Sequence, residues 1–448
     1  MNLTTSLRLG LTSALIVSLA GCSYFGSQRA EKQRLSEEER AGRIEMVLGD
    51  ESIEASAELA DTAITLPQAV ALTSWPQAGS KATKTAGHVA AAANLSVAWK
   101  VDAGKGSSRK SALTTPPVAS ETAIFVVDAD QTVRAFDLTN GRKLWQRELK
   151  SGNSRDKIGI GSGIALAGDR LIVASGYGFV SALDASNGAV LWRRDMEAPM
   201  TGSPTIKDDR AFVSSNNNEV FALDLETGNV LWSDQAIAES ARVLGSPSSA
   251  AIEDIVITPY SSGEIIAYLA ANGRRLWTEA LSRPGQFTPI SSINDIASRP
   301  VIGGGLVFAA NQSGVMAAID GRTGNRVWVQ PVGSTSAPAL VGPYIFVSGT
   351  DARIAAIDAG TGQVFWVKEL RRFEKQEKKK GRISYAGPLV ASNQVLVVSS
   401  RGELISLSPQ TGERIGSIDL GDPVYLEPIS VGDKVFVLTD DARLIAIR

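Results

Sequence analysis

The 448-residue sequence has one cysteine and one histidine. Cys22 alone can close no disulfide within the chain and can build no cysteine-rich zinc site. His88 alone argues against a multi-histidine metal centre and against a Ser-His-Asp hydrolase. Aromatic residues make up only 6% of the chain, and 45 basic residues nearly cancel 47 acidic ones. A net charge of −2 supplies no field that would draw nucleic acid, so no nucleic-acid partner is expected. The apolar stretch from Leu9 to Leu19 is too short to span a bilayer comfortably.

That stretch reads instead as an export signal, residues 1–21, with Arg8 before it and small residues after it. Leu19-Ala20-Gly21-Cys22 resembles the bacterial lipobox, which implies that the Cys22 thiol is lipidated and becomes the new N-terminus. Buried acyl chains contribute about 0.8 kcal/mol per methylene, enough in combination to hold a protein at a membrane. The sorting rule that comes with the lipobox places Ser23, where an Asp would retain the protein inside, with outer-membrane lipoproteins. Residues 22–61 are charged, small and polar, and read as a disordered or loosely docked tether.

What the chain has in abundance is one repeated phrase. "AFDLTNGRKLW" at 135–145 returns as "ALDASNGAVLW", "ALDLETGNVLW", "AYLAANGRRLW", "AIDGRTGNRVW", "AIDAGTGQVFW" and a worn "SLSPQTGERIG" at 406–416. The first half alternates like a strand, the Asp can accept hydrogen bonds from turn amides, and the Gly supplies the positive φ of a tight reversal. Each phrase follows another β-rich run, such as "AIFVVDADQTV" at 123–133.

The phrases start at 135, 182, 222, 267, 318, 356 and 406, with Ala446 at the matching point of an eighth unit. Spacings of 38 to 51 residues suit four-stranded propeller blades. The eighth unit stops at Arg448 before its last strand, whereas "NLSVAWK" at 94–100 carries a last strand with nothing before it. The expected fold is therefore all-β, an eight-bladed β-propeller over residues 62–448. Its blades are four-stranded and antiparallel, and an N-terminal strand closes the last one. Trp99, Trp145, Trp192, Trp232, Trp277, Trp328 and Trp366 recur at one blade position and are expected to pack between blades; Gly416 holds that position in the worn copy.

The repeat resembles that of the quinoprotein-like propellers. Its full arrangement, with "SWPQAG" at 74–79, "ISSINDIASRPVIGGGLVFAANQSGVMAAID" at 290–320 and the lipobox, resembles the BamB family of lipoproteins. The resemblance implies a scaffold without catalysis or cofactor, lipid-anchored on the periplasmic face of the outer membrane. Its implied partners are a POTRA domain of BamA, other subunits of the β-barrel assembly (BAM) complex, and unfolded outer-membrane proteins. The family's contact loops fall on Ala241-Arg242-Val243-Leu244-Gly245 and on Asp295-Ile296-Ala297. Val243, Gly245 and Asp295 keep the family pattern, Leu244 stands where an arginine is usual, and Arg242 is a neighbour.

Two alternatives share the repeat. A quinone-dependent periplasmic dehydrogenase would need a catalytic Asp, a calcium held by oxygen ligands and, in many cases, adjacent cysteines that this chain lacks. A periplasmic binding propeller with another client is the second. The strongest charge run, "VKELRRFEKQEKKKGR" at 367–382, reads as a long solvated interstrand loop, or as a contact for anionic headgroups or an acidic partner. His88 reads as a loop residue.

Overall fold

The computed structural model describes residues 52–60, 62–151, 159, 161–237, 247–281 and 295–448. Among them the chain is nearly all strand, with one short 3-10 turn at Ala57–Leu59. Blade 1 consists of Val118–Ala119, Ala123–Val127, Thr132–Asp137 and Lys143–Glu148, hydrogen-bonded in that order and antiparallel throughout. Blades 2 to 7 repeat the plan, ending in outer strands Val190–Asp195, Val230–Gln235, Arg275–Ala280, Arg326–Gln330, Val364–Glu369 and Arg414–Asp419. Blade 8 joins Ile429–Val431, Lys434–Leu438 and Arg443–Ile447 to the N-terminal strand Val97–Asp102, with Trp99 opposite Ala446. The expected eight blades and their offset closure are both present.

A four-stranded sheet has two apolar faces, and each blade covers its neighbours'. Ala123–Val127 is buried at all five positions, whereas the outer strand Val190–Asp195 alternates between exposed and half-buried. Apolar clusters bridge blades 1 and 2, 2 and 3, 3 and 4, 4 and 5, 5 and 6, and 6 and 7. A seventh runs continuously through blades 7, 8 and 1, from Leu396 through Phe436 to Phe136. Every seam of the ring is thus filled.

The repeated phrase spans two blades. The indole N–H of Trp145 donates to the carbonyl of Ala185 in the next blade's turn at 2.9 Å, and the other six tryptophans do the same at 2.8 to 3.1 Å. The Gly of that turn lies flat against the ring. A Cβ added to Gly228 would stand 2.5 Å from Trp192, and Gly188, Gly273 and Gly412 meet Trp145, Trp232 and Trp366 at 2.6 Å. Glycine is required twice here, for the positive φ (+71° at Gly228) and for the close approach. The Asp holds the turn in shape: the Asp358 carboxylate accepts from the amides of Gly360 and Thr361 at 3.0 and 2.8 Å. Leu269 replaces that Asp in blade 4, where the backbone bonds of the turn suffice.

The same geometry explains the worn copy. The residue at position 416 would receive a turn from blade 8, but there the third and fourth strands, Arg443–Ile447 and Val97–Asp102, are not consecutive in sequence and no Asp-Gly turn joins them. With no turn to receive, blade 7 carries Gly416 instead of an indole.

A second repeat went unread in the sequence. Pro117, Pro204, Pro247, Pro300, Pro338 and Pro428 each stand within three residues before an innermost strand, and Pro388 sits at the irregularity within Tyr385–Ala391. That strand is an edge, so a residue lacking an N–H is tolerated there.

Candidate functional site

The ring has two unlike faces. On the upper face each outer strand hands over to the next blade's inner strand; on the lower face lie the Asp-Gly turns. The segment 64–93 runs along the inner strands and closes the central channel. Trp75 exchanges two backbone bonds with Ala119 of blade 1, both 2.8 Å. Leu166 of blade 2 donates to Pro76, Ala251 of blade 4 to Ala82, Ile302 of blade 5 to Thr83, and Gly432 beside blade 8 to Leu72, while Val89 donates to Val390 of blade 7. Gln77 uses its side chain on blade 3, accepting from the Ile206 amide at 3.0 Å. The edges that a propeller leaves open at its axis are thereby paired with its own chain.

His88 belongs to this closure and is buried. Its Nε2 accepts the amide of Asn393 at 2.9 Å, so the proton sits on Nδ1 and is donated to the Pro67 carbonyl at 2.6 Å. It lies between strands, as expected of a loop residue, but it clamps two passes of the segment onto blade 7.

At the channel's centre Arg299, before blade 5, and Glu427, before blade 8, form a bidentate ion pair, one arm measuring 2.6 Å. Beside it Lys84 is 3% exposed, with Gln77 Oε1 at 3.4 Å. Burial, then the Arg299 charge, hold the Lys84 amine well below its usual range, against the opposing pull of Glu427. A lysine whose folded pKa is depressed binds fewer protons folded than unfolded. Its penalty is therefore complete at low pH and is relieved as pH rises from the folded toward the unfolded value. We expect unfolding free energy to rise on going from neutral to alkaline pH, and Lys84→Met to remove that part of the slope in denaturant titrations. An unchanged slope would place the proton elsewhere.

Above the ion pair a cavity of about 350 Å³ opens to the upper face, lined by Ala78, Leu113, Ser298, Tyr385, Tyr425 and Glu427 among others. Among the described residues, no group of three or more His, Cys, Asp or Glu side chains converges as a cation site.

The two contact loops inferred from family resemblance leave the upper face at neighbouring seams. Residues 241–245, and with them Arg242, Val243, Leu244 and Gly245, lie outside the described residues, as does Cys22. Their roots are described. Asn218 donates its side-chain amide to the Ile237 carbonyl at 2.5 Å and accepts from Ser261 Oγ of blade 4 at 2.8 Å. Asn311 of blade 5 does the same for the Leu281 carbonyl, at 2.5 Å, at the root of the second loop. Two buried asparagines thus tie adjacent loops across adjacent seams. Ile237 is 64% exposed at the first root. Asp295 closes the second loop, but it is 3% exposed and its carbonyl accepts the Gln312 amide at 3.1 Å. In this arrangement its carboxylate faces inward, and Ile296 and Ala297 are buried with it.

The basic run divides. Residues 367–369 finish the outer strand of blade 6; the remainder joins blades 6 and 7 and folds back as a two-stranded hairpin, Phe373–Lys375 with Lys380–Arg382. It is therefore an interblade hairpin and not an irregular interstrand loop. Ahead of the ring, the expected tether docks before its end: Ile53 is buried, and Ser56 both donates to the Val364 carbonyl at 2.8 Å and accepts its amide on Oγ at 3.0 Å.

Comparison with known proteins gives a consistent picture. The family described as "Outer membrane protein assembly factor BamB" matches residues 81–157, 129–368 and 367–448. A curated relative of that description from Aliivibrio fischeri is 33% identical over 351 residues, covering 78% of this chain and 88% of its own. Other curated relatives so described are matched over only 57% of their length. Among solved structures, BamB from Moraxella catarrhalis superposes with a TM-score of 0.66 at 19% identity, covering 79% of this chain and all of its own. The quinohemoprotein alcohol dehydrogenase from Comamonas testosteroni superposes nearly as well, TM-score 0.65 at 13% identity, covering 85% and 81%. At such identities the superpositions establish the fold and nothing finer.

Proposed function

The chain belongs to the BamB family of outer membrane protein assembly factors, and from this we propose that it is a non-enzymatic scaffold of the outer-membrane protein assembly machinery. Lipidated at Cys22 and facing the periplasm, it docks a POTRA domain of BamA and assists folding and insertion of β-barrel proteins. The observation that supports the docking site is the pair of asparagine-pinned roots, Ile237 and Leu281, which stand at adjacent seams of one face. A docking surface needs an apolar centre with a few directed charges, and Ile237, Val243 and Leu244 with Arg242 supply that chemistry. Confinement by a lipid tether raises the ring's effective concentration near its partner.

The channel favours a scaffold over a quinone enzyme. Where a redox group would have to sit, this ring places its own Trp75, Gln77 and Lys84 and the Arg299–Glu427 pair. The outer strands have an unpaired edge, and on neighbouring blades Val190, Leu191, Val230 and Leu231 are 44 to 51% exposed. That edge suits strand addition by unfolded barrel segments.

Arg242→Glu with Leu244→Ala is expected to reduce BamA recovered in co-purification at least about tenfold, for a loss of about 1.4 kcal/mol or more, without moving the melting temperature. Asp295→Ala, being a buried change, is expected to lower stability by about 1–3 kcal/mol instead. Undiminished BamA recovery with the double variant would reject this interface.

A further inference from the structure

The hairpin between blades 6 and 7 has no part in the docking surface above, and it concentrates charge. Residues 371–382 hold seven basic and two acidic side chains, a net +5 on a chain whose total is −2, so the rest of the molecule carries −7. Arg371, Arg372, Lys375, Lys378, Lys379, Lys380 and Arg382 are all exposed. Among the described residues none of them is paired with a carboxylate; the nearest ion pairs along the chain, Arg353–Asp351 and Lys368–Glu413, lie outside the hairpin. Arg371 and Arg382 spend their guanidinium groups on the carbonyls of Phe373, Glu374 and Thr350, which stiffens the base of the hairpin.

The hairpin is built as an arm and not as slack chain. Ile383 is buried beneath it and donates its amide to Arg372 at 3.0 Å, and the Tyr385 hydroxyl donates to the Arg371 carbonyl at 2.8 Å. The Gln376 side chain accepts the Phe373 amide at 3.0 Å, and Lys379 turns the tip with φ of +48°. Its four lysines therefore project together from a fixed root.

Ser56 is bonded to Val364, the first residue of the outer strand of blade 6, and Glu58 Oε2 accepts from Gln363 at 2.8 Å. The hairpin starts two residues beyond the other end of that strand, about 20 Å away. Tether root and basic arm thus share one blade, at opposite ends of its outer strand.

We infer that the 371–382 hairpin, with its unpaired net charge of +5, binds the anionic headgroups of a phospholipid surface. This rests on the lipid-anchored scaffold reading. A basic side chain near an anionic surface strengthens attachment by about fivefold each, so the four lysines together supply most of the charge-dependent binding.

The test uses the chain from position 22 onward with Cys22→Ser, so that neither the apolar signal nor an acyl chain contributes, in sedimentation with phosphatidylethanolamine vesicles containing about one third phosphatidylglycerol. Binding is expected, weakening as salt is raised and absent on vesicles of phosphatidylcholine alone. Lys375→Gln, Lys378→Gln, Lys379→Gln and Lys380→Gln together are expected to lower it by about 600-fold, whereas Lys143→Gln with Lys150→Gln, equally exposed, leaves it unchanged. Equal vesicle binding by the fourfold variant and the parent overturns the inference, as does binding to neutral vesicles at the same level. If the fourfold change leaves lipid binding intact but removes a co-purifying acidic protein, the arm serves that protein and the lipid assignment is wrong. BamA is absent from this assay, so its outcome is independent of the docking experiment.

Discussion

Replacing Gly228 by alanine is expected to destabilise the ring by about 2–5 kcal/mol, far more than one added methyl group usually costs. Two terms combine. The backbone sits at φ +71°, where an L-residue pays about 1–2 kcal/mol, and the new Cβ would stand 2.5 Å from the Trp192 ring. Relieving that overlap means moving an indole fixed by its bond to Leu225 and packed in the seam between blades 2 and 3, at about 1–3 kcal/mol. The control is Gly416→Ala. It lies in the same repeated phrase, but its φ is not positive, and the nearest atom to a new Cβ is Ser406 Cβ at 3.9 Å. That change is expected to stay within about 0.5 kcal/mol. Urea midpoints of the two variants decide the matter: equal shifts would mean that the Trp–Gly contact does not hold adjacent blades together.

The second large effect is expected at the channel's centre. Glu427→Ala should cost about 3–5 kcal/mol, because it leaves the Arg299 guanidinium buried without its carboxylate partner and beside Lys84. Arginine cannot release its proton, and Lys84 is already held toward its neutral form, so nothing nearby can absorb the lost charge. Arg299→Ala should cost less, about 2–3 kcal/mol, since Lys84 can then take up a proton and face Glu427. The pair replaced together by Met and Leu should recover much of the loss. Thermal and urea unfolding of the three variants test the order. If Arg299→Ala proves the worse of the two, Lys84 is not the compensating group.

These two sites differ in how far they could be read from the sequence. The blades were legible because a ring repeats its packing: Trp, Gly and Asp recur where the same contact recurs, and the missing fourth strand of blade 8 pointed to residues 94–100. Even the departures are physical, Gly416 marking the one seam with no turn to receive. The innermost-strand prolines were equally available, but they were overlooked because each stands outside the repeated phrase.

The channel was not legible. The segment 64–93 makes a different contact with each blade, Gln77 by side chain, Thr83 and Ala82 by backbone, and so has no period to detect. Nor does spacing bring Lys84, Arg299 and Glu427 together, since they meet only after the ring has closed. His88 gave no sign of burial because its partners, Pro67 and Asn393, are 21 and 305 residues away. Asp295 was assigned to a contact loop through family resemblance alone, while its burial depends on the seam between blades 4 and 5. The basic run was conspicuous as charge, yet its hairpin required the anchoring of Ile383 and Tyr385 on blade 7.

The central claim is that this ring works by holding a partner and not by turning over a substrate. Its most direct test is affinity purification of the lipidated protein from membranes in mild detergent, with mass spectrometry of what accompanies it and cross-links mapped to residues. The account predicts BamA in the eluate, with cross-links from its POTRA domains to residues around 237–246 and 282–297. Recovery without BamA, with another client in its place or with a bound quinone and dye-linked alcohol oxidation, would contradict it.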